Sequence, residues 1–229
     1  MARTAAVRAA QRADGWRFDG DDFIGGALCL DFVNTLVIAA AAHSSADRLR
    51  SCSDWLNWSA QAGIATEHEL RLAHRGAQQE SAAAALALES VRAARDALHR
   101  VLLAWLEKRT PAKADVTLLA TRIAAAQSQR RLVYAEARFR EGWASEDSDL
   151  ERLLWPVMLS AQALLLDEVS MERLHQCPAD ECGWMFLDTS KNRSRRWCSM
   201  RTCGNLAKAQ RHYARVRRSR AARRRRPEQ

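Results

Sequence analysis

Four cysteines near the C-terminus constrain this chain more than any other feature. They lie within 27 residues as two pairs, with four residues between the members of each pair and fifteen between the pairs. Two short-spaced pairs are typical of a tetrahedral zinc site, because each turn can present two thiolates to one ion. We therefore predict that Zn²⁺ is the cofactor of this chain and that its ligands are Cys177, Cys182, Cys198 and Cys203.

The segment around these cysteines, residues 175–220, predicts a small zinc finger of the treble-clef or ribbon type. It is too short to fold on its own core, so metal binding supplies the folding free energy, on the order of 10–16 kcal/mol in such sites. Residues 184–187 and 194–197 are expected to form the two strands of a hairpin. A helix is expected to begin at Asn205 and to run to about Arg220.

Positive charge is concentrated in the same part of the chain. The net charge is +9 over all 229 residues, but it is +11 over residues 177–229 and −2 over residues 1–176. A basic module attached to a nearly neutral body is typical of proteins that bind a polyanion. A rigid hairpin and a basic helix can offer their cations to a row of phosphates. The candidate nucleic-acid contacts are Lys191, Arg193, Arg195, Arg196, Arg201, Lys208, Arg211, Arg215 and Arg218.

The rest of the chain predicts a mainly α-helical fold. Apolar residues recur at helical spacing over 28–36, 67–109 and 150–174, and shorter helices are expected after Ser53 and from Asp115. Loose alternation over 132–140 indicates a small hairpin. We predict a flexible arm over 1–20, a helical domain over 21–174, the zinc finger over 175–220 and a disordered basic tail over 221–229.

No enzymatic motif of established spacing is present, and we expect a protein without catalytic activity. Asp31 and Asn34 lie on a mostly apolar segment, and together with Trp155 they are a candidate ligand pocket. The alternative is that both polar side chains brace neighbouring helices, as buried polar groups generally do. The chain shows no apolar run of membrane-spanning length and no secretory signal, so a cytoplasmic location is expected.

Two groups of residues resemble known families. The cysteine pairs, with the residues around them, are similar to the CGNR zinc finger, and two upstream segments resemble the ABATE-type domain that usually precedes it. The resemblance implies a bacterial, stress-related transcription regulator, in which the four cysteines bind zinc and the helical domain senses or binds a ligand. The upstream segments are Leu30-Asp31-Phe32-Val33-Asn34-Thr35-Leu36 and Leu154-Trp155-Pro156-Val157.

One residue departs from the family pattern. The fourth residue of the Cys-Gly-Asn-Arg motif is Leu206 here, so a contact made by that arginine is missing, and Lys208 or Arg211 is its candidate replacement. Sequence reasoning favours DNA binding and transcription control, with the helical domain as sensor or dimerisation platform. RNA binding is an alternative, because Trp184, Phe186 and Trp197 could stack on unpaired bases. The other alternative is a zinc-stabilised adaptor between proteins.

Overall fold

Ala- and Leu-rich segments with apolar residues on one face form most of this protein. A computed structural model describes residues 16–39, 44–144 and 150–224. In the described part of the chain the α-helices are α1 (Leu28–Val33), α2 (Cys52–Gln61), α3 (Glu67–Gln79), α4 (Ser81–Leu106), α5 (Lys113–Gln129), α6 (Trp155–Leu166), α7 (Glu168–Met171) and α8 (Asn205–Arg224). None of the helices described is both long and apolar enough to span a bilayer.

Within the described residues, six short strands form three separate antiparallel pairs. The first two pairs are β1 (Leu36–Ala39) with β2 (Ser44–Asp47), and β3 (Arg130–Ala135) with β4 (Arg138–Trp143). The third is β5 (Leu174–Gln176) with β6 (Met185–Leu187). The β3–β4 pair confirms the hairpin predicted around 132–140, and the mainly helical fold class is confirmed as well.

The core forms where the short helix α1 packs against α4 and α6. Phe32 of α1 contacts two tryptophans of α2, with ring centroids 5.5 Å apart in each case, and the two indoles stack 5.3 Å from each other. Trp55 and Trp58 are both buried. Aromatic side chains contribute large buried areas, so this cluster holds α1 and α2 together.

Several predicted helices have different limits in the structure. The helix expected over 67–109 is two helices, because the backbone at Glu80 leaves the helical region. Helical spacing of the apolar residues predicts a core position for Trp105, but this side chain is 48% exposed, and its indole N–H donates to the carbonyl of Met171. Ser51 rather than Ser53 caps α2, and its capping box with Asp54 satisfies two backbone N–H groups.

The expected helices over 28–36 and 150–174 are shorter than predicted. The first ends at Val33, since the following residues pair as strand β1 with β2. The second is divided into a short 3₁₀ turn, α6 and α7. Strand pairing therefore limits the first segment, whereas the second is interrupted at Asp167, whose backbone is extended, and only its last residue, Leu174, enters a strand.

The expectation of a flexible arm over 1–20 is wrong for the residues described, 16–20. Trp16 and Phe18 are buried, and the guanidinium of Arg48 lies 5.1 Å and 4.6 Å from their ring centroids. The backbone N–H of Trp16 donates to Asp54 at 2.7 Å. Residues 16–20 therefore belong to the folded body, and residues 1–15 lie outside the part described.

Candidate zinc centre and nucleic-acid interface

The four predicted zinc ligands form one buried cluster. Their Sγ atoms all lie within 4.8 Å of one another, and Cys198 Sγ is 3.5 Å from Cys182 Sγ and 3.6 Å from Cys203 Sγ. Four thiolates bound at about 2.3 Å to one ion would be separated by about 3.8 Å along each edge of a tetrahedron. The cluster therefore has the donor set and the size that Zn²⁺ requires.

Local backbone structure presents each pair of cysteines. Cys177 follows β5, and its N–H donates to Trp184 O at 2.8 Å, which closes the turn that carries Cys182. Cys203 lies in a π-helical turn, Met200–Gly204, directly before α8. Zinc coordination at this turn would therefore fix the position at which α8 begins.

The predicted finger hairpin has a different strand pairing. Strand β6 lies where the first strand was expected, but its partner is β5 and not residues 194–197. Leu174 faces Leu187 across this pair, and both side chains are buried in the main core. The cause is the apolar surface of the body, which buries β5 and β6 together.

Asp188 holds the loop that replaces the expected second strand. Its carboxylate accepts the backbone N–H groups of Ser190 and Arg195, at 2.8 Å and 2.9 Å. A hydrogen bond from the Ser190 side chain is the largest influence on the pKa of Asp188, which lies below its usual value. This arrangement exposes the tip of the loop, which carries Lys191 and Arg193. The sequence reasoning missed this role of Asp188, although an Asx-turn signal was present at Asp188-x-Ser190.

Arg195, a predicted nucleic-acid contact, is used inside the protein. Its half-buried guanidinium donates to four carbonyl oxygens, those of Ile24, Leu187, Trp197 and Cys198. It also lies 4.5 Å from the ring centroid of Phe186. Four of its five N–H donors are therefore used within the protein, and the structure gives Arg195 an internal role, joining the loop to the body, in place of the predicted phosphate contact.

The other basic side chains predicted for the interface are exposed. They are Lys191, Arg193 and Arg196 on the loop, Arg201 in the π-helical turn, and Lys208, Arg211 and Arg215 on α8. Arg217, absent from the predicted set, is exposed as well, whereas the side chain of Arg218 lies outside the described part. Arg201 is 3.6 Å from Asp21 of the body.

Helix α8 projects into solvent more than its sequence suggested. Leu206, Ala209, Tyr213 and Val216 recur at helical spacing, which predicts that they pack against the cysteine turns, but Tyr213 is 72% exposed and Ala209 is exposed too. The helix continues to Arg224, four residues into the predicted tail, whose last residues, 225–229, lie outside the described part. Its main contact is the π-helical turn at its own N-terminus.

The expected boundary between body and finger does not coincide with the division between the two apolar clusters of the described residues. Asn34 of the body donates to Met185 O at 2.9 Å and accepts from Met185 N–H at 2.8 Å. Leu187 N–H donates to Gly25 O at 2.8 Å, and Val37 packs in the same apolar cluster as the four cysteines. The zinc cluster is therefore built partly from residues near the start of the helical domain.

In place of a ligand pocket, the side chains of Asp31, Asn34 and Trp155 make contacts that brace neighbouring segments of the protein. Asp31 accepts the N–H of Gly25 at 2.7 Å, and burial raises its pKa to about 6. Trp155 packs against Trp143 with ring centroids 5.4 Å apart. A cavity of about 650 Å³ lies elsewhere, between α3 and α4, and residues such as Gly76, Glu80, Ala84, Leu150 and Glu151 line it.

A helical body joined to a buried four-thiolate cluster and a basic helix defines a zinc-finger protein. The family comparisons agree, since the CGNR zinc finger matches residues 173–226. The chain belongs to the ABATE family, described as "Putative stress-induced transcription regulator", which matches residues 26–168, more than half of its length. These matches confirm both resemblances, and neither description names an enzymatic activity. Comparison with the curated proteins finds no match.

Proposed function

We propose that this protein is a DNA-binding transcription regulator whose zinc cluster orients helix α8 and the loop over residues 188–196 toward the phosphate backbone. The observation that carries this proposal is the composition and exposure of α8. The helix contains eight Lys and Arg residues in 20 and no Asp or Glu. Like charges one turn apart destabilise an isolated helix by a few tenths of a kcal/mol per pair, so an external polyanion would stabilise it.

The dimensions of α8 suit a DNA groove. Twenty residues at about 1.5 Å each give a length of about 30 Å, and the major groove of B-DNA, about 12 Å wide, admits an α-helix. Lys208, Arg211 and Arg215 recur at spacings of three and four, which places them along one side. Arg211 lies five residues after Leu206, somewhat more than one helical turn, and we assign to it the contact that the family's arginine would make.

The zinc cluster would connect the two basic elements. The loop bearing Lys191, Arg193 and Arg196 ends at Cys198, and α8 begins two residues after Cys203. Metal binding would hold both elements in a fixed relation, which phosphate contacts require if they are to set an orientation on the duplex. The helical domain would then act as the sensor or dimerisation platform of a cytoplasmic bacterial regulator.

The structure lends less support to RNA binding through stacked bases. Trp184 is 4% exposed and Phe186 is fully buried, and Trp197 is half-buried. Stacking of unpaired bases requires an accessible ring face. These aromatics instead pack around the cysteines, so DNA remains the partner that we propose.

Fluorescence anisotropy of the zinc-loaded chain against duplex DNA across a salt series tests the proposal. Each phosphate contact contributes about 0.9 to the slope of log affinity against log salt. Replacing Lys208, Arg211 and Arg215 by Gln should therefore reduce the slope by about 2.7. The matched control replaces Arg75, Lys108 and Arg109, exposed cations of the body, and should leave the slope unchanged.

Two further arms separate the alternatives. A variant with Cys198→Ser and Cys203→Ser keeps every arginine but loses the metal, so equal binding by this variant would mean that only loose charge attraction operates. Tighter binding to single-stranded RNA than to the duplex would favour the RNA alternative. An absence of salt-dependent affinity for any nucleic acid would favour the adaptor.

A further inference from the structure

The β3–β4 hairpin has two chemically different faces. Residues directly opposite in an antiparallel pair share a face. The register pairs Tyr134 with Phe139 and Leu132 with Glu141 on one face, which we call the aromatic face. The opposite face carries three arginines and is called the basic face; its arginines are Arg131, Arg138 and Arg140.

The aromatic face is apolar and open to solvent. Leu132 is 76% exposed, Tyr134 64% and Phe139 69%, and the last two rings contact each other with centroids 4.9 Å apart. Large apolar side chains gathered on one protruding hairpin are typical of an interaction surface rather than of scattered surface residues. An isolated two-stranded hairpin is also marginally stable in water, so a covering partner would stabilise it.

We propose that the aromatic face is the surface through which two copies of this chain associate. The rim of the face is self-complementary, because Arg130 and Glu141 lie on it and already form an ion pair. A two-fold axis places the same patch of both copies in contact, so each rim would offer both charges to its partner. Glu136 lies 3.6 Å from both Arg138 and Arg140, but three arginines against one carboxylate leave the basic face with a net positive charge. Two such faces would repel each other, which favours the aromatic face for contact.

The exposed area is sufficient for a reversible dimer. The three apolar side chains together expose on the order of 400 Å², so two copies would bury about 800 Å² of apolar surface. With the polar rim the total reaches about 1,200 Å², the lower end of specific interfaces. A dissociation constant on the order of 1–10 µM is expected. Dimerisation does not depend on the proposed function, but it would double the footprint of a single finger on DNA.

Sedimentation equilibrium of the zinc-loaded full chain from 1 to 100 µM in about 0.5 M salt measures this association. We expect a monomer–dimer equilibrium that weakens at least tenfold when Leu132, Tyr134 and Phe139 are all replaced by Thr, which keeps strand propensity. The control replaces Leu86, Leu166 and Val169, exposed apolar residues of the helices, by Gln and should dimerise as the wild type does.

A second variant tests the same interface without replacing three hairpin residues at once, so that the result does not depend on whether the triple variant folds. Phe139→Glu adds one carboxylate per copy to the aromatic face, and repulsion between the two copies should also weaken the dimer at least tenfold. Wild-type protein that stays monomeric up to 100 µM would overturn the proposal, and so would dimers of unchanged affinity in either variant. The salt slope for DNA is measured separately, so failure of this interface is distinguishable from failure of DNA binding.

Discussion

Asn34 makes two of the hydrogen bonds that connect the body to strand β6, and its replacement by Ala is the sharpest test of how the finger is joined to the body. The side chain is 2% exposed and Met185 is fully buried. Removing the amide leaves the Met185 N–H and C=O unpaired, and an unsatisfied buried group costs about 1–3 kcal/mol. We expect the free energy of unfolding to fall by about 3 kcal/mol in total, which lowers Tm by about 6–12 °C for a chain of this size.

The assay is thermal unfolding of the zinc-saturated protein, followed by circular dichroism and by zinc release. Asn57→Ala is the matched control, because Asn57 is exposed and donates one long hydrogen bond, 3.4 Å, to Trp16 O. Its Tm should change by less than about 2 °C, which corresponds to the usual effect of a surface substitution. A shift of that small size in Asn34→Ala would refute the reasoning, as would release of zinc in a transition separate from unfolding of the helices.

Three further predictions concern the metal, Arg195 and Asp31. Removing zinc with a chelator should lower Tm of the whole chain, because the cluster shares buried residues with the body; unchanged helical unfolding would contradict this. Arg195→Lys should lower the free energy of unfolding by about 2 kcal/mol, since an ammonium cannot reach four carbonyls. Urea titration measures this loss, and the loss should be less than about 0.5 kcal/mol for the exposed control Arg196→Lys. The raised pKa of Asp31, about 6, means that the folded state holds this proton more tightly than the unfolded state, so ionisation lowers stability as pH rises through 6. Urea titrations at pH 5.5 and pH 8 compare the free energies of unfolding of Asp31→Asn and the wild type. The difference between them should shift by about 1 kcal/mol in favour of the variant from the lower to the higher pH. A difference that is the same at both pH values would count against this prediction.

The sequence determined the zinc cluster, because ligand spacing is a local property. Each short-spaced cysteine pair places two thiolates on one turn, and the structure brings the two pairs together as the spacing predicts. Helical composition was also readable locally, as in α4 and α5, where Ala and Leu recur at helical spacing. The resemblance to both families followed from the same contiguous residues.

Tertiary structure alone decided which residues serve the finger and which serve the body. Residues 194–197 have a plausible strand sequence, yet β6 pairs with β5, since that pairing buries Leu174 and Leu187 in the main core. Arg195 is one arginine among many in sequence, and only the positions of four carbonyls give it an internal role. Asn34 and Met185 lie 151 residues apart. Hydrogen bonds across such a separation leave no periodic signal, because their partners meet only when the apolar surfaces of α1 and β6 pack together.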